Sequence, residues 1–214
     1  MSREVRNLFN EKIKENDTMT EKKKKILEVC IELFSEQGFS NVSTSQIAKA
    51  AGVAEGTIFK HFGKKEDILI KNIIPYILES IFAIVVKEFA QENLEINDKG
   101  FEKFIHAIVS DRILFLSENK KIAKILITEV MYRKELRIKL FNSIPSELKE
   151  SFFMILDKFR NEGVLGDIEN KDVIKFIAGS IFSYAIVSLT IDKEFDDEEE
   201  IDKIVRFLVK GLKK

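Results

Sequence analysis

Apolar residues recur along most of the chain at spacings of three and four, and strict alternation is rare, so the pattern predicts helices rather than strands. The first strong helix is expected at about 20–37. There Ile26, Leu27, Cys30, Ile31, Leu33 and Phe34 share a face, Thr20 and Glu21 open the helix, and Gly38 is placed to end it. A short helix follows at about 43–50, where Ser43 and Gln46 have the separation of a capping box. Ala50, Ala51, Gly52 and Val53 are too small and too glycine-broken to prolong it, which predicts a tight turn. A third helix takes about 54–61, and Gly63 separates it from a fourth that begins near Lys64 and runs to about residue 91. Pro75 falls inside that fourth helix, where a missing N–H and a clash with the carbonyl four residues back predict a kink.

Beyond it the spacing predicts helices at about 98–117, 119–131, 133–162 with an interruption near Pro145, 171–191 and 197–212. Residues 2–16 carry Val5, Leu8, Phe9 and Ile13 among charges, a weak amphipathic helix, and Met19 offers an alternative start. The fold class read from this pattern is all-α. It divides into an extension at 1–19, a three-helix head at 20–66 and a larger helical body at 67–214.

With 214 residues, 45% hydrophobic and 33% charged, the chain belongs to the globular class and not to disordered or collagen-like ones. Its single Cys cannot form an intramolecular disulfide, and the charged first thirty residues lack the apolar core of a secretory signal, so a cytoplasmic location is expected. Cys30 itself reads as a small core hydrophobe. A formal charge of −1 gives no whole-chain sign of a nucleic-acid partner. Residues 20–65, however, hold eight Lys against five Glu, a local +3, which leaves −4 on the remainder.

The positive segment contains STSQIAKAAGVAEGTIFKHF, residues 43–62: two turns of helix, a small-residue turn and a second short helix, the helix-turn-helix layout. Ile47, Ala48 and Ala51 must meet Ile58 and Phe62, with small alanines allowing close approach and Val53 filling the corner. Glu55, Gly56, Thr57, Lys60 and His61 then remain outside, small or polar and able to face a groove.

Three stretches, ILEVCIELFSEQGF (26–39), VSTSQIAKAAGV (42–53) and EGTIFKHFGKKEDIL (55–69), resemble the TetR family of bacterial transcriptional repressors. The resemblance implies that Ser43 caps the second helix and touches phosphate, and that Thr44 and Ser45 lie at its exposed start. It further implies that Glu55, Gly56 and Thr57 begin the recognition helix, that Lys60 and His61 lie near the DNA backbone, and that Lys65 matches the lysine opening the fourth helix. Three positions depart from the pattern. Phe59 replaces a tyrosine and cannot hydrogen-bond phosphate, Ala54 replaces a Ser or Thr cap, and Ser45 replaces a frequent Arg. Glu55 is acidic beside DNA, so it reads a cytosine amino group, repels wrong sites or sits in solvent. The run Lys22 to Lys25 is either a solvated helix start or a phosphate contact.

Residues 171–191 are apolar nearly all round, which predicts burial on most sides. Lys175 and several hydroxyls argue against a membrane span, and Gly179 with Ser180 would let another backbone approach. The resemblance implies a homodimer through 171–191 and 197–212, and a dimer also suits DNA sites built of two half-sites. The acidic run Asp196 to Glu200 reads as structural, opposing the macrodipole of the last helix.

The resemblance also implies a cavity between head and interface. Candidate ligand-binding residues are Phe82, Phe89, Phe104, His106, Phe115, Tyr132, Phe152 and Tyr184, whose aromatic, sparsely polar character suits a small apolar effector. The reading is a ligand-responsive regulator, released from a palindromic double-stranded operator when the effector favours a conformer whose heads no longer match the half-sites. The Pro75 kink would help to set the head angle. No metal-ligand spacing, phosphate loop or nucleophile elbow points to an enzyme, a metal or a cofactor. The rival is a helical lipid carrier without DNA function, which would account for the body but not for residues 42–69.

Overall fold

The computed structural model describes residues 19–75, 100–191 and 196–214, and among these the regular elements are helices joined by short turns. The first helix, α1 (Glu21–Gln37), starts where Thr20 Oγ1 accepts the Lys23 N–H at 3.3 Å, and it ends at Gly38, whose N–H returns to the Phe34 carbonyl. Then come α2 (Thr44–Ala51), α3 (Glu55–Phe62) and α4 (Lys65–Asp67), which continues into a π-helical stretch, Ile68–Ile73. The wider winding has a cause in Pro75: its ring would collide with the carbonyl four residues back, and a loosened turn moves that carbonyl away. The Ile74 N–H accordingly reaches back five residues to Leu69, and the Asn72 side chain donates to the Asp67 carbonyl at 2.9 Å. The helix beyond Pro75, with any kink there, lies outside the described residues, as do residues 2–16.

The remaining helices are α5 (Gly100–Glu118), α6 (Lys120–Tyr132), α7 (Lys134–Asn142), α8 (Ser146–Asn161), α9 (Asn170–Thr190) and α10 (Asp197–Leu212). The expected interruption near Pro145 separates α7 from α8. By packing, the chain forms two compact units, residues 19–75 with 119–143, and residues 100–118 with 144–191 and 196–214.

In the first unit α1 lies against both α2 and α6, around a core that includes Ile26, Leu27, Cys30, Ile47, Ile58 and Leu69. Cys30 is fully buried, and burial alone pushes its thiol from the ordinary 9.0 up to about 12. Lys121 on α6 forms an ion pair with Glu32 on α1.

The second unit packs α5 against α9 and α10, with Phe104, Val109, Leu156, Val173 and Val205 inside. Asp196 caps α10, its Oδ1 accepting the N–H groups of Glu198 and Glu199 at 3.0 and 3.2 Å, so the acidic run does stand at a helix start. The chain end is pinned: Gly166 N–H donates to the Leu212 carbonyl and Lys214 N–H to that of Val164.

Helix α9 departs from the burial expected on most sides. It buries Val173, Ile177, Tyr184 and Ala185, while Phe176, Phe182, Ile186 and Val187 stay exposed. Among the described residues the elements that pack against it are α5, α8 and α10. By length and mean hydropathy (1.7) this helix is also apolar enough to cross a bilayer.

Candidate DNA-binding surface

The pairing of α2 with α3 is built from small and branched apolar residues. Ile47, Ala48 and Ala51 on α2 and Ile58 and Phe62 on α3 are all buried, and each buried isoleucine contributes about 1.5–3 kcal/mol. Gly52 turns the corner at φ 68 and ψ 37, a left-handed conformation that a side chain would strain. The capping box read from the sequence is present. Gln46 N–H donates to Ser43 Oγ at 3.2 Å, and Ser43 N–H donates to Gln46 Oε1 at 2.7 Å. At the start of α3, Ala54 supplies no side-chain cap, as its methyl requires.

With the apolar side fixed inward, the polar side is forced out. Ser43, Ser45, Glu55, Gly56 and Lys60 are exposed, and Thr44, Thr57 and His61 are half-buried. Thr44 and Glu55, eleven residues apart, are brought together: Thr44 Oγ1 donates to Glu55 Oε1 at 2.5 Å. A Cβ at Gly56 would meet nothing within 4 Å, so the chain's own packing does not ask for glycine there, although glycine costs a helix roughly 1 kcal/mol relative to alanine.

Lys65 is placed differently from the other candidates. Its ammonium donates to the carbonyls of Phe39 and Val42 at 2.9 and 2.7 Å and lies 4.3 Å from the centre of the Phe39 ring, so it fastens the turn between α1 and α2. Arg133 stacks on the same ring at 4.5 Å.

At two places the structure adds detail to positions marked in the sequence. Phe59 is 51% exposed on α3, a large apolar side chain on an otherwise polar face. The lysine run is split in its roles: Lys23 lies 5.5 Å from the Phe62 ring centre, Lys24 pairs with Glu21 at 3.0 Å, and the Lys25 ammonium lies 3.9 Å from where a Cβ would stand on Gly52. The four-residue pattern alone could not separate these roles, because those of Lys23 and Lys25 depend on Phe62 and Gly52, far along the chain.

The ligand candidates scatter. Phe82 and Phe89 lie outside the described residues. Phe104 and Phe115 are buried core, and the Phe104 ring lies 5.4 Å from that of half-buried Phe152. His106 is exposed, and Tyr132, on α6 of the first unit, is 84% exposed. Tyr184 ties α9 to α10 by donating its hydroxyl to Asp197 Oδ1 at 2.5 Å, and burial, then this bond, push its ionisation well above the ordinary tyrosine range. A groove of about 480 Å³ runs between α9 and α10, lined by Phe176, Gly179, Val187, Ile204 and Phe207 among others. Among the described residues no three His, Cys, Asp or Glu side chains are grouped to hold a metal ion.

Residues 26–71 match the family model for bacterial regulatory proteins of the tetR family. Over 197 residues, 87% of this chain and 93% of the other, the sequence is 29% identical to the fatty acid metabolism regulator protein of Bacillus subtilis. The fold is similar to that of the TetR family transcriptional regulator PfmR from Thermus thermophilus, with a TM-score of 0.67 at 20% identity over 92% of this chain and 100% of that one. It is also similar to the regulator FadR from Bacillus subtilis in complex with stearoyl-CoA, with a TM-score of 0.58 at 22% identity over 88% of this chain and 98% of that one.

Proposed function

We propose that this ligand-responsive DNA-binding regulator of the TetR family is a cytoplasmic, homodimeric repressor released from a palindromic operator by a long-chain acyl effector. DNA binding is assigned to residues 20–66, and effector binding and dimerisation to 67–214. The observation that carries the DNA reading is the polar outer face of α3, held outward by the burial of Ile58 and Phe62 beneath it.

The acyl effector is supported by the name of the B. subtilis relative, whose likeness spans nearly the whole of both chains, and by the stearoyl-CoA bound to a protein of the same fold. The aromatic cluster of Phe104, Phe152 and Phe159 makes the interior of the second unit apolar. For the dimer, support comes from the exposed apolar side of α9 and from Phe207 on α10, 74% exposed. Gly179 has nothing within 4 Å of a Cβ position and so leaves room for a second backbone. Covering α9 with a second copy also accounts for its hydropathy without a membrane.

The reading is tested by a gel shift on DNA fragments from the chromosomal neighbourhood of the gene, repeated over a salt series and with added stearoyl-CoA. A repressor of this kind gives a sequence-selective shift that weakens steeply with salt and is released by the thioester. A helical lipid carrier would bind the thioester and show no selective shift.

A further inference from the structure

Glu55 opens α3, exposed, and the groove that α3 would enter is lined by phosphates. Among the described residues no lysine or arginine forms an ion pair with it. A carboxylate so placed opposes DNA binding unless it accepts a hydrogen bond from a base. It is also not left to wander, since Thr44 Oγ1 donates to its Oε1 at 2.5 Å, across the turn from the start of α2. Nor is it spent on its own helix: α3 has no side-chain cap at Ala54, yet Glu55 is held by Thr44. One oxygen is thus fixed and the other remains to accept. Beside it Gly56 adds no bulk to the first turn of α3.

We propose that Glu55 reads a cytosine in each operator half-site and that Thr44 is a positioning residue for it, not a phosphate contact; this rests on the DNA-binding reading above. A carboxylate only accepts. In the major groove guanine presents acceptors and thymine an acceptor and a methyl, so neither satisfies it. Adenine offers a donor, but its N7 acceptor stands alongside and repels a carboxylate. Cytosine N4 is the donor without that neighbour. A glutamine at the same place carries a donor beside its acceptor and matches adenine instead.

The test is selection of binding sites from random double-stranded DNA by the full chain and by Glu55→Gln, Thr44→Val and Thr44→Ser, with thermal melting to confirm folding. The wild type is expected to enrich a palindrome with cytosine at one symmetry-related position per half-site. Glu55→Gln should move that position alone to adenine and bind the cytosine site about tenfold more weakly. Thr44→Val should relax the preference several-fold at that position without changing the salt slope, and Thr44→Ser should restore it. If Glu55→Gln leaves every preference unchanged, or Thr44→Val weakens all sequences equally as loss of a phosphate contact does, the assignment is overturned while the regulator reading stands. If the wild type enriches no palindrome, both are overturned.

Discussion

On α3 the apolar side chains Ile58 and Phe62 are buried, and Glu55, Gly56 and Lys60 face outward; on α9 Val173, Ile177 and Tyr184 are buried, and Phe176, Phe182, Ile186 and Val187 face outward as well. Among the described residues, each helix buries one side in its own unit. What each leaves uncovered differs in chemistry: on α3 mostly polar groups and a lysine, with Phe59 the one large apolar exception, and on α9 mostly aromatic and branched carbons. The first suits a hydrated polyanion, and the second suits another apolar surface, because exposed carbon gains free energy only when water leaves it. Residue by residue, one short helix of eight residues and one long helix of 21 thus ask for different partners.

The contrast is broken most strongly by charging the apolar side. Phe176→Asp combined with Phe207→Asp, 54% and 74% exposed in the single chain, should leave the fold intact and raise the dimer dissociation constant by more than about a hundredfold, since burying one phenylalanine is worth about 1.5–3 kcal/mol. Sedimentation velocity reads this directly, and an unchanged dimer would remove α9 and α10 from the interface. Next in size is Ile58→Ala beneath the polar face, expected to cost about 2–5 kcal/mol in urea unfolding and to weaken operator binding with it.

Lys60→Ala on the outer face should leave stability nearly unchanged and lower the slope of log affinity against log salt by about 1 per protomer. Equal slopes for variant and wild type would place Lys60 away from phosphate. Cys30 sharpens the picture of the head core: with its thiol held up at about 12, it should resist a thiol reagent at pH 8 until the chain unfolds. The sign follows: the folded thiol stays neutral where an unfolded one ionises near 9.0, so the stability it lends is full below that pH and is lost as pH rises toward 12. Smallest is Lys121→Met, which removes an exposed ion pair to Glu32 and should change unfolding free energy by less than about 1 kcal/mol.

Much of the head was legible in the sequence, because its determinants are local. The Ser43 and Gln46 capping box, the left-handed Gly52 and the inward set Ile47, Ala48, Ala51, Ile58 and Phe62 all follow from spacing within about twenty residues. Lys65 could not be read this way, since its two carbonyl partners lie 23 and 26 residues back and become neighbours only in the fold. Likewise the bond from Thr44 to Glu55 needs the angle between two helices, which no single-helix period contains. For α9, periodicity counts carbon but does not say whose carbon will cover it, so burial within the chain and burial against a partner look alike. The π-helical turn before Pro75 was foreshadowed only as a disturbance, because the sequence marks where a hydrogen bond is lost and not how the preceding turn rearranges.

The central claim joins selective DNA binding to release by an acyl effector, and fluorescence anisotropy of a labelled palindromic site titrated with the full chain tests both together. The account predicts saturation at two protomers per palindrome, weak binding to a scrambled site, and at least a tenfold loss of affinity on adding stearoyl-CoA. Equal binding to both DNAs, or an affinity for the palindrome that stearoyl-CoA leaves untouched, would contradict it.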